Sequence, residues 1–301
     1  MGKRVFVSYS RKQEEWVHAR LYPVLKAGGA DVLMDVHRFQ AGLGVYGQMD
    51  ATQDLAEIHL LVLSPDYLAS EPCVHEMRRA VAGTPGNVLP VVREDCTLPP
   101  EVQGSDPLLY VKLMDDGRAD QWDLVTARCE VDLGVSAAEW LRVREQVRDA
   151  LSDGRSVNLV IQGPADSRGL MSQIRDDLGA MAVIDLAAGV MAGRQGLIRE
   201  ILREIGINGE VRKPPDDLGD LHRGIMAAPA CVRLAFRHFD LMKTRWRNYK
   251  EDFFSALKFL VEERKLTLLI ASRAPYASLL PISNSLSKIQ MKTVELRGRV
   301  Q

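Results

Sequence analysis

Residues 155–173, RSVNLVIQGPADSRGLMSQ, pass from an apolar run through a Gly163-Pro164 turn into a helix-compatible stretch. This is the setting in which a loop cradles phosphates, provided that a lysine reaches the β- and γ-phosphates and a Ser or Thr hydroxyl holds Mg²⁺. Counted from Gly163, those two positions hold Gly169 and Leu170. The frame for nucleotide binding is present, and its chemistry is missing. Gly42, Gly44 and Gly47 match the spacing of a dinucleotide fingerprint, but they do not sit between a strand and the start of a helix. They read as a flexible loop. Chemistry is therefore sought in the first half of the chain, which contains Cys73-Val74-His75-Glu76. By residue type alone, Glu76 is a solvated helix charge and Cys73 a packed small residue. His75 is one helical position from Glu76 and points elsewhere. Cys73, Cys96, Cys129 and Cys231 have neither zinc nor disulfide spacing, so no metal is expected and a reducing cytoplasm is the simple reading.

The elements that must position these groups alternate strand and helix. Strands are predicted at 4–7, 31–35, 58–64, 88–92 and 108–111, and helices at 14–26 and 71–81, with 120–130 helping to close the domain. Trp16, Val17, Leu21, Val24 and Leu25 form the apolar stripe of the first helix. Ser136 and Glu139 have capping-box spacing, and Trp140, Val143, Val147 and Leu151 continue one stripe over 136–153. The alternation then repeats, with strands at 157–161, 182–186, 231–236, 266–272 and 294–296. Helices are expected at 170–178, 195–205 and 249–264, and a polar loop at 212–220. Such patterns predict parallel sheets covered by helices on both faces. The division expected is residues 1–133 and 134–301.

Length and charge agree with this plan. A chain of 301 residues is long enough for two cores, and 26% charged residues are ordinary for a globular protein. No apolar run is long enough for a membrane span. The start goes directly into strand-like sequence, and a myristoyl signal at Gly2 is discounted because Val5-Phe6 read as buried strand. Residues 221–301 carry 15 Lys and Arg against 6 Asp and Glu. A basic end of this kind suits an acidic partner, nucleic acid or a solvated face.

The segments VFVSYSRKQEEWV, DVLMDVHRFQAG, IHLLVLSPDYLASEPCVHEM and VLPVV occur in that order. Together they resemble a TIR (Toll/interleukin-1 receptor) domain over roughly residues 3–130. The resemblance implies a flavodoxin-like parallel sheet and one of two functions, NAD⁺ cleavage or signalling by TIR–TIR assembly. It identifies Glu76 as the catalytic acid, and His37–Gly42 as the mobile BB loop. A single carboxylate suits that reaction, because nicotinamide leaves a ribose that passes through an oxocarbenium-like state. With the dinucleotide at the carboxyl ends of the strands, the implied NAD⁺ contacts are Ser8, Tyr9, Ser10, Arg11, Asp35, Phe39 and Cys73. Two positions depart from the family: Pro72 stands where Trp is common, and Gln13 where Asp is common.

RSVNLVIQGP, VRLAFRHFDLM and FFSALKFLVEERKLTLLIASRAP resemble the nucleotide-binding core of AAA/STAND-type ATPases over roughly residues 136–300. That family carries an acidic pair where this chain has Arg237-His238, a replacement that repels Mg²⁺. The resemblance also implies a helical lid, for which little chain follows residue 296. The expectation is a P-loop-like α/β domain lacking its nucleotide motifs, with no Mg·ATP bound, used for docking and oligomer control. Arg233, Arg237, Lys243, Arg245, Arg247 and Lys250 are interleaved with Trp246 and Tyr249, which could stack bases. Phe236 and Phe239 read as core. By resemblance the whole is a cytoplasmic, self-associating NAD⁺-cleaving effector of prokaryotic antiphage defence. The alternatives are a non-enzymatic TIR scaffold and a regulator bound to nucleic acid.

Overall fold

The computed structural model describes residues 2–34, 50–103, 107–163, 165–206 and 218–298. The chain divides into two compact units, Met1–Leu141 and Arg142–Gln301. Each is built on its own five-stranded parallel sheet. Both units are α/β, as the alternation predicts.

In the first unit the strands are β1 Arg4–Tyr9, β2 Asp31–Leu33, β3 Ile58–Leu63, β4 Val88–Val92 and β5 Val111–Lys112. Every residue of β3 is buried, as a parallel strand covered on both faces requires. Helix α1 (residues 14–27) includes a π-turn at Val17–Leu21. It buries Val17, Leu21, Val24 and Leu25. Helix α2 is Pro65–Leu68, α3 is Glu71–Gly83 and α4 is Ala119–Arg128. The strand order is β2-β1-β3-β4-β5. The chain therefore leaves β1 towards one side and returns to pair β3 on the other. In an open parallel sheet, the crevice at such a switch point lies beyond the carboxyl ends of the strands.

The last strand differs from the expected 108–111, and the reason is Pro90. Leu113 N donates to Val92 O (3.0 Å), and Arg93 N donates to Leu63 O (2.9 Å). Alternate residues of β4 thus face β5 and β3. Pro90 is in phase with Val92, so it faces β5 and has no N–H to give. Pairing with β5 begins only at Val91, and Leu109, expected in the strand, is 93% exposed.

Helix α5, Ala137–Ser152, contains the division between the units. Ser136 Oγ accepts from Glu139 N (3.3 Å), as the capping pattern predicts. In the second unit the strands are β6 Val157–Gln162, β7 Ala182–Asp185, β8 Val232–Arg237, β9 Leu266–Ser272 and β10 Lys292–Arg297. Their order is β10-β6-β9-β8-β7. The helices are α6 Arg168–Leu178, α7 Arg194–Glu204, α8 Leu218–Ala227 and α9 Met242–Glu262. Helix α8 begins within the expected polar loop, and residues 207–217 lie outside the described residues. Helix α9 consists of two helical segments; the first starts at Met242, and the second corresponds to the expected helix 249–264. Its backbone departs from helical values at Lys250 (φ 61°, ψ 160°).

Candidate active site

Strand β1 delivers two serines to the switch point. Side chains alternate along a strand, so Ser8 and Tyr9 face opposite sides of the sheet. Tyr9 OH lies 3.3 Å from His18 Nε2 of α1. Ser8 turns to α3, where its hydroxyl donates to Glu76 Oε2. The same oxygen lies 2.8 Å from Tyr67 OH. Tyr67 is fixed by the start of α2, where Ser64 Oγ accepts its backbone N–H (3.2 Å) and Pro65 occupies the first turn. Burial pushes the Tyr67 phenol well above its ordinary value; the Ser8 hydrogen bond opposes that shift and the Glu76 charge adds to it. Tyr67 therefore remains a neutral proton donor.

Helix α3 buries Cys73, Glu76, Met77 and Ala80, one face at helical spacing. Glu76 is thus an acid within an apolar stripe, 3% exposed. A carboxylate there requires hydrogen-bonding partners. Gln53 Nε2 also donates to Glu76 O (2.9 Å), tying the helix backbone to residues 50–53. Cys73 Sγ donates to Tyr9 O (3.5 Å), a packing role that agrees with the small-residue reading. Pro72 lies in the first turn of α3, where a proline costs no helical hydrogen bond. Gln13, 5% exposed, donates through Nε2 to Glu94 Oε1 (2.5 Å) beyond β4. Ser10, two residues after Ser8, is 5% exposed, and among the described residues its Oγ makes no hydrogen bond. A separate cleft of about 470 Å³ opens near the amino end of β3, lined by Gln53, His59, Arg79 and Thr84 among others. It lies away from the carboxyl ends.

The corresponding crevice of the second unit is filled differently. Gly163 follows β6 in a left-handed conformation (φ 73°), and Leu170, in the hydroxyl position, is fully buried. Arg237 at the end of β8 reaches Asp185 Oδ2 of β7 and Asp166 Oδ1 of the β6 loop, both at 3.0 Å. Its Nε donates to Ser167 Oγ (3.4 Å). His238 Nδ1 lies 2.6 Å from the other Asp185 oxygen. Asp240 accepts from Arg273 N (2.8 Å). Burial pushes the Asp166 and Asp185 carboxyls up, but hydrogen bonds and neighbouring cations outweigh it. Both end below the ordinary 3.8. Among the described residues, no group of His, Cys, Asp and Glu is arranged to hold a metal ion.

Residues 5–126 match the family model described as TIR domain. The chain carries a TIR domain. A solved TIR domain of a Toll-related receptor from Hydra magnipapillata is similar at 17% identity and a TM-score of 0.37, covering 42% of this chain and 97% of that one. A Walker-type ATPase from Pyrococcus abyssi is similar at 11% identity and a TM-score of 0.41, covering 52% of each chain. No curated protein matches.

Within the TIR domain, the structure gathers Ser8, Cys73 and Glu76 around the carboxyl end of β1, with Ser10 beside them. The Tyr9 ring lies on the opposite face, and Arg11 is exposed in the turn Arg11–Gln13. Asp35, Phe39 and the segment 37–42 lie outside the described residues. Sequence reasoning missed Tyr67, although an acid in the 73/76/77/80 stripe signals that a buried donor must exist. In the second unit two expectations are corrected. Tyr249 is fully buried, with its hydroxyl donating to Met191 O, so it does not stack bases. Arg237 is buried and ion-paired, so it is not part of a free basic patch. Phe236 and Phe239 are core, as expected.

Proposed function

We propose that the TIR domain cleaves NAD⁺ between nicotinamide and ribose, with Glu76 as the catalytic acid. The observation supporting this is a single carboxylate that accepts from the Ser8 hydroxyl at the β1/β3 switch point. In the reaction the glycosidic C–N bond breaks and its electron pair leaves with neutral nicotinamide. Glu76 stabilises the oxocarbenium-like ribose. Water adds to the anomeric carbon and releases a proton, giving ADP-ribose; attack by an adenine nitrogen instead gives a cyclic product. Asp35 and Phe39 are proposed substrate contacts by resemblance, with Ser10 and Arg11 at the end of β1.

The second unit serves this reading as a docking and assembly domain rather than an ATPase. Support comes from Gly169 and Leu170 at the phosphate-binding positions and from Arg237 among the crevice carboxylates. The whole is an effector of prokaryotic antiphage type, acting as a cytoplasmic homo-oligomer and controlled by a trigger at the second unit. The test incubates the full chain with NAD⁺, alone and under forced oligomerisation, and follows nicotinamide release for wild type and Glu76→Gln. Turnover in the first and none in the second is expected; equal inertness under both conditions removes the enzyme reading.

A second reading is favoured by one observation, the 3% exposure of Glu76. A carboxylate so buried serves equally as an acceptor that ties α3 to β1. The TIR domain is then an assembly module without turnover. Full cellular activity of Glu76→Gln, with loss on substitution of Phe39, supports that alternative.

A further inference from the structure

Ser8 is a hydroxyl within an apolar strand, 1% exposed. Its bonding is fixed by proton count. A serine hydroxyl has one hydrogen and two acceptor lone pairs. That hydrogen goes to Glu76 Oε2, so the 2.8 Å contact with Tyr67 is donated by the phenol. The order is Tyr67 O–H to Ser8, then Ser8 O–H to Glu76. We infer that Tyr67 and Ser8 are positioning residues, a relay of two hydroxyls that holds Oε2 of the Glu76 carboxyl group in one orientation for glycosidic cleavage. The inference rests on the NAD⁺-cleaving reading.

Three elements make the relay rigid. Ser8 stands on β1, where it is paired with Leu61 of the fully buried strand β3. Tyr67 is held by the Ser64 cap. Glu76 is held on the buried face of α3, whose backbone Gln53 grips. A hydrogen bond donated to a carboxylate favours its charged form. Chained hydroxyls polarise one another, so the phenol strengthens the bond that Ser8 makes. The donors are neutral, so they orient Glu76 without cancelling the charge that a cationic ribose needs. Ser10 provides the contrast, because its hydroxyl has no bond among the described residues and is suited to meet the substrate.

The experiment measures kcat and KM for NAD⁺ across pH with the full chain, comparing wild type, Ser8→Ala, Ser8→Thr, Tyr67→Phe, Ser10→Ala and Glu76→Gln. Ser8→Ala is expected to lower kcat about tenfold or more at nearly constant KM, and to move the acid limb up by about one pH unit. Ser8→Thr keeps the hydroxyl and restores the profile. Tyr67→Phe moves the limb in the same direction by less, and covers the case in which Ser8→Ala does not fold. Ser10→Ala changes KM and leaves the limb in place. Wild-type kcat and an unmoved limb in folded Ser8→Ala and Tyr67→Phe overturn the inference, because a merely structural role alters only melting. Inertness of wild type equal to that of Glu76→Gln instead overturns the NAD⁺ reading itself.

Discussion

The two units place polar side chains at the same kind of location, the carboxyl ends of parallel strands, and bond them in opposite ways. At β1/β3 a carboxylate accepts from a serine hydroxyl that is itself bonded to a phenol. At β6–β8 two carboxylates are held by a guanidinium and an imidazole. Neutral donors orient an anion and leave its charge available to a substrate. A cationic partner orients it equally well and cancels the field that would act on anything else. The difference separates a carboxylate bonded through neutral groups from carboxylates ion-paired by their own neighbours.

The sharpest break of this comparison is Glu76→Gln, which keeps shape and removes charge. Nicotinamide release should fall by about a thousandfold or more, and equal rates would erase the distinction between the crevices. Next is Arg237→Met, which leaves Asp166 and Asp185 facing each other without their shared cation. The second unit should lose about 2 kcal/mol in urea unfolding, below the range for fully buried pairs because both carboxylates are partly solvated. NAD⁺ chemistry in the isolated turnover step should be unchanged.

Acid offers a third test. Asp166 and Asp185 are held below 3.8 in the folded chain. Their stabilisation is therefore complete above that value and is lost as pH falls through the depressed folded range. The melting temperature of the second unit should drop steeply in that window, and Arg237→Met should flatten the drop. The smallest expected effect is Ser10→Ala, a rise in KM of about fivefold from one lost hydrogen bond. A larger effect on kcat than on KM would place Ser10 with Ser8 instead.

Strand and helix alternation was legible because period and β-branched runs are local properties. What the sequence alone concealed was phase and partnership. Tyr249 was read as a ring that could stack bases. The backbone turns at Lys250, and the turn lets the Tyr249 ring pack against Phe253 and Phe254 in the core. Arg237-His238 stood out in the sequence as a basic pair. Its partners Asp166 and Asp185 come from two other segments, and only the folded sheet brings them together. Glu76 was legible through resemblance, whereas Tyr67 was not, because a tyrosine in a capped turn has no signature until β1 passes beneath it.

Pro90 has a consequence beyond the length of one strand. A parallel sheet grows by offering a row of backbone groups to the next strand, in its own chain or in a neighbour. Here the row is interrupted one strand from the border, and the border strand β5 spans only Val111–Lys112. A second molecule approaching this border would find two residues of template. Polymerisation by lateral strand addition is therefore blocked on this side, so self-association there must run through helices and loops.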